Sequence, residues 1–102
     1  AKSAFVHKPA AVISSSRRAG SVTSMDVLNK HLSISEMPIV TSNYWNEVHG
    51  HTPSDVEQDI EGLDTMYALG KNMAWMLKCI EAGKKAGIEV PQNKKRTTNF
   101  IR

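Results

Sequence analysis

The sequence predicts an α/β fold: about two strands and two helices of a doubly wound parallel sheet. Three observations carry that expectation. Two short apolar runs, Ala10-Ala11-Val12-Ile13 and Ile39-Val40 after Met37-Pro38, do not alternate with polar residues and end in small hydroxyl residues. Such runs are typical of strands buried on both faces, as parallel sheets require. Two further segments carry apolar residues at steps of three and four, the helical period. The resulting order of strand, helix, strand, helix implies parallel strands joined by a right-handed crossover.

The elements follow in chain order. Residues 1–9 are a short lead-in that Lys8-Pro9 closes. The first strand is expected over 10–14. Arg17-Arg18-Ala19-Gly20 is a loop, and a helix over 21–34 follows. Ser21 or Thr23 is expected to cap it, with Asp26 three residues after Thr23. Met25, Leu28 and Leu32 form its buried stripe. The second strand is expected over 38–42. Asn43 to His51 is aromatic, polar and irregular, and reads as a functional loop. Thr52-Pro53-Ser54-Asp55 is a strong helix start, with Thr52 as cap, proline at the first position and Asp55 closing a capping box. A long helix is expected over 53–82, bent at Gly62 and stopped by Gly83. Its acids fall early and its lysines late, as the helix dipole favours. Residues 84–102 are a basic C-terminal tail.

Length sharpens the reading. The chain has 102 residues, enough for one domain. Yet two parallel strands and two helices cannot cover both faces of a sheet, so residues 1–83 are expected to be half of a larger domain. The absent initiator Met fits that expectation. One cysteine, Cys79, excludes an internal disulfide framework or a site built from several thiolates. It lies among apolar helix positions, where a small buried residue is expected. His49 and His51, with His31, lack zinc-site spacing, so no metal is expected. No apolar run approaches the about 20 residues that span a bilayer, and no secretory signal opens the chain. A cytoplasmic location and no membrane partner are therefore expected.

The net charge of +3 hints at nucleic acid, but its distribution weakens the hint. Five of the ten acids lie between Asp55 and Asp64, and six of the thirteen bases in the last nineteen residues. The excess is a tail, not a basic face interleaved with aromatics. A nucleic-acid partner is not expected. No Gly-x-Ser-x-Gly elbow, dinucleotide fingerprint or P-loop is present.

In open α/β sheets ligands bind beyond the carboxyl ends of the strands. That places Ser14, Ser15, Ser16, Arg17, Arg18, Ala19 and Gly20 at the candidate site. They offer hydroxyls, two guanidinium groups, a glycine for close approach and the free amides of the next helix. Tyr44, Trp45 and His49 are candidates for a substrate contact or lid, and no residue stands out as catalytic.

Between Pro9 and Gly83 the chain resembles the C-terminal half of the NADPH-dependent FMN reductase family. The likeness rests on Arg17-Arg18-Ala19-Gly20, Met37-Pro38-Ile39-Val40, Tyr44-Trp45-Asn46 with Val48-His49-Gly50, and Asn72-Met73-Ala74-Trp75 leading to Gly83. The resemblance implies a flavodoxin-like sheet that binds FMN, with NADPH or NADH as electron donor and a small-molecule electron acceptor. It implies a homodimer or higher oligomer. Ser14 to Gly20 would then approach the polar edge of the flavin ring. The family's phosphate-binding loop and third-strand loop have no counterpart here, so this chain alone is expected to be inactive. A reading of a different class is a noncatalytic oligomerisation or protein-interaction module that uses the long helix and basic tail.

Overall fold

A computed structural model describes residues 2–100. After a single 3-10 turn at Lys2–Ala4, the chain runs extended from Ala10 into strand β1, Ser14–Ser16. Helix α1, Ser21–Ile34, carries the chain back to strand β2, Glu47–His49. The two strands are parallel, with Ser14 opposite Glu47, Ser15 opposite Val48 and Ser16 opposite His49. Helices α2, Pro53–Gln58, and α3, Ile60–Lys85, complete the order. Strands and helices thus alternate in a mixed α/β arrangement around a small parallel sheet.

Both expected strands are displaced. The run 10–14 meets 38–42 only at a parallel bridge, Ala10 to Ile39, closed by Ala10 N–H to Pro38 O at 3.0 Å and Val40 N–H to Ala10 O at 2.8 Å. Regular pairing begins later, in Ser14–Ser16, and its partner is the segment expected to be a loop. Between Ile39 and Glu47 the second segment bows outward while the first runs straight from Ala10 to Ser14. Asn46 spans the bow. Its side-chain amide donates to Val12 O at 3.1 Å, satisfying a carbonyl that the missing ladder would have paired.

The helices show where local signals compete. α1 keeps the expected span 21–34, but neither Ser21 nor Thr23 caps it. Gly20 is the cap, at φ 96°, and no side chain takes up the first amides. Ser21 and Met25 are buried, whereas Leu28, expected on the same stripe, is 46% exposed. The start of α2 is as expected: Asp55 N–H donates to Thr52 Oγ1 at 3.2 Å, and Thr52 N–H donates to Asp55 Oδ2 at 3.1 Å.

The single helix over 53–82 is instead two. It breaks at Asp59, not at Gly62, because the Asp59 carboxylate accepts from Gly62 N–H and starts a new helix. Short acidic side chains compete with the helical backbone in this way. Gly62 serves packing: a Cβ there would meet the Asp59 carboxylate and lie 2.9 Å from Val48 Cγ1. α3 also passes Gly83 and runs to Lys85. Gly87 stops it at φ 87°, with Gly87 N–H bonded to Lys84 O and Ile88 N–H to Gly83 O, the paired bonds of a Schellman cap. Lys84 and Lys85 therefore belong to the helix, not the tail. The tail is irregular but returns to the lead-in, where Pro91 O accepts from the His7 ring at 2.9 Å, and to the end of α1, where Asn93 donates to Glu36 at 2.7 Å.

Coverage of the sheet is partial. Among the described residues the buried apolar side chains are Met25, Val40 and Leu69. Ile13, expected to be buried on a two-sided strand, is 61% exposed, and Cys79 is exposed as well. The radius of gyration is 17.3 Å, against roughly 13 Å for a compact domain of this length. The molecule is a slab of 48 × 47 × 21 Å with apolar surface left open. Among the described residues no helix is long and apolar enough to cross a membrane.

Two glycines separate packing from propensity. Gly62→Ala should destabilise the protein by about 1–3 kcal/mol through overpacking against Asp59 and Val48. Gly70 has open space at its Cβ position, so Gly70→Ala should stabilise by about 0.5–1 kcal/mol through helix propensity. Urea denaturation of both variants checks the opposite signs.

Candidate functional site

The carboxyl ends of β1 and β2 bring together residues far apart in sequence. Side chains alternate along a strand, so Ser14 and Ser16 share one face with Glu47 and His49, and Ser15 points to the other. This revises the expectation for the three serines: they lie in strand β1, not in the following loop, and Ser15 is turned away from Ser16. Arg17, Arg18, Ala19 and Gly20 do form the loop, exposed, at the point where β1 gives way to α1.

A hydrogen-bonded line crosses this face. Ser21 Oγ donates to Ser16 Oγ at 2.6 Å. Ser16 Oγ lies 3.3 Å from His49 Nδ1. On the other side of the ring, His49 Nε2 is 3.5 Å from Glu47 Oε1. Ser16 and Nδ1 thus share one hydrogen bond while Nε2 faces the Glu47 carboxylate. Ser21 thus leaves helix capping to Gly20 and spends its hydroxyl on the neighbouring strand.

Asp59 holds the same face from the side. Its Oδ2 accepts the His49 backbone N–H at 2.7 Å, and its Oδ1 accepts the Gly62 N–H at 3.0 Å. The Gly62 amide, then the His49 amide, hold its carboxyl below the ordinary value of 3.8; desolvation opposes them and the His49 ring adds to them. Neither Asp59 nor Glu47 stood out in the sequence as a site residue. The available signal for Asp59 was an acid three residues before Gly62, masked by the stronger capping box upstream.

The three aromatic and imidazole candidates do not act as one group. His49 shares a cleft of about 330 Å³ with Arg18, Ala19, Gly20 and Glu47. Tyr44 meets His49 across a separate polar cleft of about 160 Å³ that also includes Asp59. Trp45 instead borders an apolar cleft of about 440 Å³ between α1 and the outward bow, where Tyr44 also lies. The two aromatic rings are tilted at 6.1 Å, and each side chain is 55% exposed. In that apolar cleft the buried Asn29 Oδ1 has no hydrogen-bond partner. Among the described residues no three His, Cys, Asp or Glu side chains gather into a metal-holding group.

Chemically, the cleft beside His49 is rich in donors. The first amides of α1 have no side-chain cap, Gly20 has open space at its Cβ position, and Arg18 borders the opening. Such a set suits an anionic or electron-rich ligand edge. Comparison of the chain with protein-family models, curated proteins and solved structures finds no match.

Asp59 gives this site a pH signature. A carboxyl held low in the fold stabilises it fully above the ordinary carboxylate value and loses that contribution as pH falls through the lowered folded value. Melting temperature should therefore drop on acidification below about 3.8. Asp59→Asn should melt lower at neutral pH and show a shallower acid-side loss. Thermal melts of both proteins across that range give the comparison.

Proposed function

We propose that this chain is the C-terminal half of a flavodoxin-like, FMN-binding oxidoreductase that uses NADPH or NADH, of the flavin or quinone reductase type. The observation that carries the reading is the strand–loop–helix corner at β1. There Arg18 borders the cleft at the uncapped start of α1, with Arg17 next to it in the loop, beside the pair formed by Ser16 and the His49 of the parallel neighbour β2. The resemblance of the Arg17-Arg18-Ala19-Gly20 and Val48-His49-Gly50 segments to the FMN reductase family supports the same reading.

The donor set fits the group. A flavin ring presents carbonyl oxygens and ring nitrogens along one edge, and gains negative charge when reduced. The amides of α1 and the Arg17 and Arg18 guanidinium groups are donors without acceptor character, which suits that edge. Hydride and electron transfer are the chemistry the flavin supplies when bound. The chain's own residues bind and orient. Gly20, lacking a side chain, lets the backbone come close. Ser16 and Ser21 steady the His49 ring, and Glu47 faces its far nitrogen. Tyr44 stands across the smaller cleft from His49. The phosphate-holding loop would come from polypeptide outside this sequence.

A second reading, a noncatalytic association module, is favoured by one observation. α3 exposes Tyr67 and Trp75 at 70% and 66%, apolar surface that a binding site at β1 does not use.

The visible spectrum of the full native polypeptide containing this chain decides between the two. The first reading expects flavin bands, or saturable quenching of added FMN fluorescence, and NAD(P)H oxidation in the presence of a quinone. Replacing both Arg17 and Arg18 by Ala should weaken FMN binding at least tenfold, since hydrogen bonds to charged groups contribute about 1.5–3 kcal/mol each. A colourless protein that neither quenches nor binds added FMN removes the oxidoreductase reading and leaves the association module.

A further inference from the structure

Helix α3 has two faces of different character. Successive residues turn by about 100°, so the side toward β2 carries Gly62, Thr65 and Leu69, all buried, with Met66, Met73 and Met76 half-buried beside them. The opposite face centres on Lys71. Within about 40° of it lie Ile60, Asp64, Tyr67, Trp75, Lys78, Ala82 and Lys85, every one exposed.

This outward face has an internal symmetry in its chemistry. Counting equal steps from Lys71 pairs Asp64 with Lys78, Tyr67 with Trp75, and Ile60 with Ala82. Opposite charges match at one step, aromatic rings at another and apolar groups at the third. We propose that the face is a self-association surface, on which a second copy of this chain lays its own α3 antiparallel, about a two-fold axis beside Lys71.

A two-fold interface must be complementary to itself, and this one is. Antiparallel docking brings Asp64 of each copy to Lys78 of the other, and sets Tyr67 of each at the level of Trp75 of the other. It sets the acidic start of this face, Asp64, against its basic end on the other copy, Lys78 and Lys85. It also opposes the two helix dipoles favourably. Parallel docking would set acid on acid and lysine on lysine. The one like-charge meeting is Lys71 with its copy. There both flexible ammonium groups lie within reach of the neighbouring Tyr67 and Trp75 rings, whose faces attract cations. The 26-residue helix offers about 39 Å for the contact. A second copy supplies the complementary pattern by symmetry, whereas any other partner would have to bring its own.

The inference is independent of the flavin reading, because it uses none of the residues at the β1 corner. Its test is a charge exchange followed by sedimentation velocity on the full native polypeptide. The native protein should be a dimer. Asp64→Lys and Lys78→Asp each put like charges at both symmetric contacts, and each should weaken dimerisation at least tenfold. Combined in one chain, the two substitutions restore opposite charges and should recover the dimer. Trp75→Ala should weaken it as well. Both charged positions are exposed, and circular dichroism reports whether each variant keeps its helix content. A monomeric native protein overturns the proposal. So does an oligomer unaffected by either single exchange, which would mean that other polypeptide or another face makes the contact. A double variant as weak as the singles overturns it too.

Discussion

The Asp59 carboxylate is the joint on which this arrangement turns. One oxygen accepts the backbone amide of His49 in β2, and the other accepts the amide of Gly62 in the first turn of α3. A single side chain thereby ties the sheet to its longest helix and sets where that helix begins. The close approach of Gly62 to Val48 follows from the same joint, and so does the placement of His49 beside Ser16. Two charge-assisted bonds to backbone amides are among the stronger hydrogen bonds a protein makes, which explains why the helical run starting at Pro53 breaks at this residue.

The sheet itself is small, and its polar character is unusual. β1 consists of three serines, residues of low strand propensity, and its pairing depends on the partner segment and on Asn46 bridging to Val12. What the serines provide is chemistry at the carboxyl end of the strand. Ser16 turns one hydroxyl toward His49 and receives another from Ser21, so the corner is ordered by hydrogen bonds where most strands are ordered by apolar packing. That order sits next to a loop with two arginines and an uncapped helix. Donors that are free and donors that are committed are therefore held side by side.

Apolar surface left open is the complementary theme. Ile13 and Ile39 on the extended runs, and Tyr67 and Trp75 on α3, are exposed in a flat slab whose apolar core, among the described residues, is Met25, Val40 and Leu69. The strand and helix surfaces differ in kind. Ile13 and Ile39 lie on the extended runs beside the sheet, where apolar surface is open to solvent. The outward face of α3 carries apolar groups together with charges of both signs.

By itself the sequence determined the features whose causes are local. The span of α1, the capping box of Thr52 and Asp55, and the polarity of α3 from acidic to basic follow from neighbouring residues, and the parallel sense of the two extended runs follows from the order of the elements. The loop Arg17 to Gly20 was legible for the same reason, since unusual residue types cluster there. The tertiary structure decided what depends on distant partners. It moved regular pairing from the apolar runs to Ser14–Ser16 and Glu47–His49, because register is settled by which backbone groups meet and not by hydropathy. It moved the helix break from Gly62 to Asp59 and the stop from Gly83 to Gly87, because caps are chosen by geometry where several residues qualify. It separated Trp45 from His49, two residues the sequence had grouped, because the chain bows outward between Ile39 and Glu47 before β2 begins. It also drew Glu47, Asp59 and Ser21 into the candidate site, since their roles exist only where strands and helices converge.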